Sequence, residues 1–165
     1  MTMTNANDPK PLVGILMGSP SDAEIMKKAS ATLESLGVPC EILVRSAHRT
    51  PDEAVEYART AKGRGLQVLI AGAGMAAHLA GVVAAYTPLP VIGVPVASGA
   101  LGGQDALYAT VQMPPGTPVA TVAINGAQNA GYLAAKIIAL SDAALAERLE
   151  AARLERRQQV LDAVV

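Results

Sequence analysis

Apolar and polar positions in this chain fall in blocks rather than in single alternating steps. "PLVGILMG" (11–18) is a continuous apolar run ending at Gly18, the pattern of a strand buried on both faces. "SPSDAE" follows, with Ser21 and Glu24 at capping-box spacing, and predicts a helix to about Leu36, where Gly37 closes it before Pro39. "CEILV" (40–44) reads as a second strand. "TPDE" opens a second helix with Thr50 as N-cap, Pro51 in the first helical position and Glu53 at N3, running to about Lys62.

The same alternation continues. "QVLIA" (67–71) is a third strand, followed by glycine-rich "GAGMAAHLAG" and a helix of small residues from about Ala76 to Tyr86. "PVIGVPV" (90–96) and "PVATVAI" (118–124) are further strands, with a short helix over 103–113 between them. "NAGYLAAKIIAL" (129–140) and "DAALAERLEAARLERRQQVL" (142–161) are closing helices. Strands alternating with helices of this length predict a parallel α/β sheet covered on both faces, and five strands suit the flavodoxin-like order 2-1-3-4-5. Residues 11–165 read as a single domain with a C-terminal helical arm, 142–163, behind a polar, disordered tail of residues 1–10 that lacks the apolar core of a signal peptide.

Composition narrows the class. Of 165 residues, 51% are hydrophobic and 16% charged, as expected of a globular chain, and the net charge of −1 gives no reason to expect nucleic acid or an anionic membrane. Pro88, Pro90 and Pro95 interrupt the long apolar stretch 79–101, so no spanning helix is expected there. The single cysteine, Cys40, forms no intrachain disulfide and suits a reducing, cytoplasmic setting. From Leu66 to Ala135 the only formal charge is Asp105. The helix 76–86 is therefore apolar or small all round and should be buried all round, which one small layered domain cannot achieve. A stable homo-oligomer is expected.

On a parallel sheet, ligands bind in the loops after the strand carboxyl ends. Here those are 18–22, 46–50, 72–78 and 97–103. In the first, Ser19, Ser21 and Asp22 surround a helix start; free N–H groups and hydroxyls suit a phosphate, and the carboxylate suits a ribose diol. Ordinary capping accounts for the same residues. In "SAHR", Arg49 offers a planar fork for phosphate or carboxylate and His48 a proton carrier near neutral pH. Gly72 and Gly74, with Ala73, permit close backbone approach to a planar ligand. The "GAGMAA" run lacks the downstream acid of a dinucleotide fingerprint. Two separated histidines and no acidic cluster give no metal-ligand spacing, and no nucleophile elbow or close carboxylate pair is evident. The residues describe a cofactor-free site for an anionic small molecule, with one histidine to move protons.

The ordered set "MGSPSD", "SAHRTP", "AGAGMAAHLAG", "GVPVASGALGGQDALYATVQMPPGTPVAT" and "NAGYLAAKIIAL" resembles the N5-carboxyaminoimidazole ribonucleotide mutase family over roughly Leu12 to Glu150. The resemblance implies a three-layer α/β/α sandwich, an octamer, and cofactor-free migration of a carboxylate from an exocyclic amine to carbon 4 of an aminoimidazole ribotide. It implies His48 as catalytic acid and base, and Arg49 on the phosphate. Asp22 would hold the ribose, with Ser19, Ser21 and Ser46 as nearby contacts. Gly72, Ala73 and Gly74 would lie against the imidazole, and His78 matches the family's histidine in "AAHL". A sibling class that carboxylates the ribotide directly with CO2 tends to carry Lys at the position of Arg49. Direct carboxylation, and a non-catalytic nucleotide-binding oligomer, are the alternatives. The chain departs from the commoner pattern at Ala23 (usually Trp), Met75 (usually Gly) and Ala80 (usually Pro).

Overall fold

The computed structural model describes residues 10–163, so the expected tail lies outside it but for Lys10. Five parallel strands, β1 (Val13–Met17), β2 (Cys40–Val44), β3 (Val68–Gly74), β4 (Val91–Val96) and β5 (Ala120–Thr121), are ordered β2-β1-β3-β4-β5. Six helices accompany them: α1 (Ala23–Ser35), α2 (Pro51–Ala61), α3 (Leu79–Ala85), α4 (Gln104–Val111), α5 (Ala127–Ala139) and α6 (Ala143–Asp162). The expected flavodoxin-like order and the additional C-terminal helix are both present. No described helix is long and apolar enough to cross a membrane.

The continuous apolar runs serve two cores at once. Val13, Ile15 and Met17 of β1 point to one face, with Ile70 of β3 and Val94 of β4, against α1 and α5. Leu16 and Leu69 point to the other, against α2 and α3. Alternation in direction without alternation in polarity marks a strand buried on both sides. Helices α1 and α5 meet closely because their contact is built from Ala29, Ala127, Ala130, Gly131 and Ala134. At the β2 edge, the hydroxyl of buried Tyr57 donates to Glu41 Oε1 at 2.6 Å, and Arg64 donates to the same oxygen at 2.7 Å.

Several boundaries differ from those expected. β3 continues through the glycine-rich stretch to Gly74, pairing Ala73 with Pro95 and Gly74 with Val96. The following helix starts at Leu79 rather than Ala76, because Met75 is left-handed (φ 53°) and tight turns bond Ala77 N–H to Met75 O and His78 N–H to Ala76 O. β5 shrinks to two residues. Just past it, Val122 N–H donates to Gly93 O and Asn125 N–H to Pro95 O, and Pro95 has no N–H to extend the ladder. The box before α1 is formed by Ser19 and Asp22 around a single 3₁₀ turn, Pro20–Asp22, not by Ser21 and Glu24. Thr50 is the N-cap of α2 but makes no side-chain cap bond, so the expected Thr50–Glu53 box is absent.

Helix α3 buries Leu79, Ala80 and Val83 and leaves Tyr86, just beyond its end, exposed. Helix α6 docks over its first half and a little beyond: Asp142 caps it, Leu145 is buried, Arg148 Nε donates to Leu36 O at 2.8 Å, Leu149 and Ala152 pack on the core, and the Arg156 guanidinium lies 3.8 Å from the centre of the Tyr132 ring. Leu154, Val160 and Leu161 stand exposed.

A Cβ added at Gly131 would lie 2.9 Å from Ala29 O and 3.0 Å from Thr32 Cβ. Gly131→Val should therefore push α5 off α1 and cost about 1–3 kcal/mol, read as a lowered urea midpoint with the slope unchanged.

Candidate active site

The four strand-to-helix loops meet over the carboxyl ends of β1 to β4 around a cleft of about 420 Å³. Its first wall is the β1–α1 turn. Ser19 N–H donates to Asp22 Oδ2 at 3.0 Å, Ser21 N–H donates to Ser19 Oγ at 3.3 Å, and the Ser21 hydroxyl donates to Ser19 Oγ at 2.8 Å. The Asp22 carboxyl is held beneath this turn, 7% exposed. Burial raises its pKa from the ordinary 3.8; the Ser19 N–H, the Ser21 hydroxyl and the Arg49 charge oppose that rise without cancelling it. A ligand donating hydroxyl hydrogens would stabilise the ionised form.

The second wall explains the sequence "SAHRT". Ser46 is buried, and its Oγ accepts from His48 N–H at 3.3 Å and from Arg49 N–H at 3.1 Å. Thr50 Oγ1, diverted from capping, accepts from Ser46 N–H at 2.8 Å. The segment is a self-bonded turn that holds His48 and Arg49 outward. The Arg49 guanidinium donates to Gly18 O at 2.7 Å, tying this loop to the first. Its Nε donates weakly to Ser46 Oγ at 3.5 Å, and Nη1 stays available for an anion.

His48 Nε2 lies 2.9 Å from His78 Nδ1, with ring centroids 5.0 Å apart and planes at 84°. One nitrogen donates and the other accepts, so the tautomer of one ring sets that of the other. His48 Nδ1 stays outside this bond. The third wall is Ala73 and Gly74 at the end of β3, and the fourth is Ser98 after β4. A side chain at Gly74 would strike Ser98 Oγ and crowd Val96 O at 3.0 Å.

Of the expected site residues, Ser19, Ser21, Asp22, Ser46, His48, Arg49, Ala73 and Gly74 line the cleft. Gly72 does not. It is buried beneath, its carbonyl accepting from Gly18 N–H at 3.0 Å, and a side chain there would run into Met26. His78 stands behind His48 rather than on the wall. Lining residues that sequence reasoning passed over include Met75, Ala76, Leu79 and Ser98. Ser98 carried a signal, as a hydroxyl in a strand-to-helix loop. Met75 carried one as a departure from the family pattern, and Ala76 and Leu79 carried none. Among the described residues no cluster of three or more His, Cys, Asp or Glu could hold a metal ion.

The family model described as AIR carboxylase matches residues 12–159 of the chain. The chain belongs to the AIR carboxylase family. This family member is 56% identical to an N5-carboxyaminoimidazole ribonucleotide mutase of Synechocystis sp., over 93% of the chain and 88% of that protein. It is 54% identical to a Schizosaccharomyces pombe phosphoribosylaminoimidazole carboxylase, over 97% of the chain but only 29% of that longer protein. Its fold matches the crystal structure of Treponema denticola PurE with a TM-score of 0.84 and 30% identity, covering 92% and 95% of the two chains. AIR carboxylase family membership thus covers all four walls of the cleft.

The raised pKa of Asp22 carries a stability consequence. The folded state holds this proton more tightly than the unfolded chain, so stability falls as pH rises from 3.8 through the folded pKa. Asp22→Asn should be more stable than the parent at pH 7, with the two converging as pH falls toward 4; urea unfolding at both pH values reads the difference.

Proposed function

We propose that the chain is an N5-carboxyaminoimidazole ribonucleotide mutase, moving the carboxylate from the exocyclic nitrogen to carbon 4 of the imidazole. The carrying observation is near-full-length identity of 56% to a mutase, in a chain whose cleft brings together one arginine, one buried carboxyl and one histidine backed by a second. The substrate is a small-molecule ribonucleotide in purine biosynthesis. No cofactor is required by the chemistry, and the protein works as a cytoplasmic homo-oligomer, an octamer.

The reaction runs by decarboxylation and recapture. The bond from the exocyclic nitrogen to the carboxyl carbon breaks, its electron pair stays on nitrogen, and His48 supplies the proton. The freed CO2 is attacked by carbon 4, and His48 takes the proton that carbon 4 then loses. The histidine ends as it began. Arg49 anchors the phosphate with donors not used on Gly18, and Asp22 accepts from the ribose, with Ser19 and Ser21 beside it. Ala73 and Gly74 face the ring, where their small size allows close approach. Ser46 fixes the backbone that carries His48 and Arg49, and Gly72 keeps the floor of the cleft close. His78 orients His48.

Direct carboxylation of the ribotide is the second reading, favoured by the 54% identity to the fungal carboxylase. Arg49 in place of Lys speaks for the mutase. Purified protein offered the N-carboxylated ribotide should form the C4-carboxylated product; turnover only of the uncarboxylated ribotide with bicarbonate would assign direct carboxylation instead. Binding of the ribotide with turnover of neither would assign a non-catalytic nucleotide-binding oligomer.

His48→Asn should retain ribotide binding while losing about 10²–10⁴-fold in kcat. Near-parental turnover would remove His48 from the proton transfers. Arg49→Ala should weaken binding of the ribonucleotide far more than of the ribonucleoside, as measured by calorimetry; equal losses would contradict a phosphate role.

A further inference from the structure

Met75 is a non-glycine residue in the left-handed region, with φ of 53°. The other among the described residues, Asn125 (φ 59°), has a polar side chain that tolerates that region and bonds Ala97 N–H through Oδ1 at 2.8 Å. Met75 has no such local bond to offer. An unbranched apolar residue keeps this conformation only where its surroundings favour what the side chain does.

The side chain faces the Gly99 backbone. Its Cγ, Sδ and Cε lie 3.5, 3.7 and 3.8 Å from where a Cβ on Gly99 would stand, so the thioether runs alongside the Gly99 backbone. Met75 thereby links the β3–α3 loop to the β4–α4 loop, across two walls of the cleft. The second loop is otherwise pinned at its ends, by the Asn125 bond to Ala97 N–H and by Gly103 packed against Ile124, and its middle is open. Gly99, Gly102 and Gly103 all have positive φ, and Leu101 is 61% exposed. Met75 is itself 57% exposed, so it covers the edge of the cleft and does not fill its floor.

We propose that Met75 is a positioning residue that latches the β4–α4 loop and keeps free CO2 inside the cleft between bond cleavage and recapture. The proposal rests on the mutase reading above. CO2 is uncharged, and no group in the cleft binds it by charge; its retention depends on how long the walls stay closed. A flexible, apolar thioether is suited to such a seal. When the latch opens early, the ribotide has already taken its proton on nitrogen, and CO2 leaves. The products are then uncarboxylated ribotide and CO2, with His48 reprotonated from water.

The test compares the parent, Met75→Gly and Met75→Leu with the N-carboxylated ribotide in the presence of ¹³C-bicarbonate. Released uncarboxylated ribotide, corrected for its enzyme-free formation, and label in the C4 product are measured together. Met75→Gly should release several-fold more uncarboxylated ribotide per product and incorporate several-fold more label. Its melting temperature should match or exceed the parent's, because glycine relieves the left-handed backbone. Met75→Leu should restore the parental partition. Parental partition and labelling in Met75→Gly would overturn the latch. If the parent forms no C4 product, the mutase reading fails, and amide hydrogen exchange still decides the contact. Faster exchange across 97–103 in Met75→Gly supports it; unchanged exchange overturns it.

Discussion

Burial of β1, β3 and β4 from both sides is the constraint on which everything else rests. A strand enclosed by two layers of helices has no position where a charge or an unpaired hydroxyl can sit without a heavy desolvation penalty. The polar groups of the site are accordingly pushed to the strands' carboxyl ends, where chain direction changes and backbone donors are free. The same enclosure fixes the distances between loops, because parallel register ties Met17, Val44 and Gly72 to one level of the sheet. Chemistry drawn from four separate segments can then converge on one cleft.

Within that cleft, the backbone of one loop serves as a ligand for another. Arg49 bonds the carbonyl of Gly18, and Gly18 in turn bonds the carbonyl of Gly72. Three walls are thus joined through two hydrogen bonds before any substrate arrives. Ser46 and Thr50 spend their hydroxyls on the turn itself, which gives His48 and Arg49 defined backbones, while His78 and Gly18 O position their side-chain ends. Preorganisation of this kind lowers what binding must otherwise spend on ordering.

The order of strands and helices was legible because each strand is a solid apolar block and each helix begins at a polar cluster. The loops nominated from strand ends proved to be the cleft walls. What was illegible came from residues whose conformation is settled by neighbours far along the chain. Ser19–Asp22 and Ser21–Glu24 both fit a capping box by spacing, and only Pro20 at the turn decides for the first. Glycine in "GAG" reads as loop by propensity, yet pairing with β4 makes it strand. Gly72 was expected on the site and lies under it, since proximity to a ligand loop does not reveal which way a pleat faces. The contact of His48 with His78 spans 30 residues and depends on the left-handed turn at Met75. No local pattern encodes it.

The stretch from Leu66 to Ala135 with only Asp105 charged also separates two responses to ionic strength. An apolar surface has few counterions to lose, so a contact made through the uncharged residues of α3 is indifferent to added salt, or strengthened by salts excluded from apolar surface, although Arg59 stacks on the Tyr86 ring at 4.7 Å beside it. The mouth of the cleft, where Arg49 stands exposed, is screened by the same salt. An apolar contact made there and an anion held at Arg49 would therefore respond to the same salt in opposite ways.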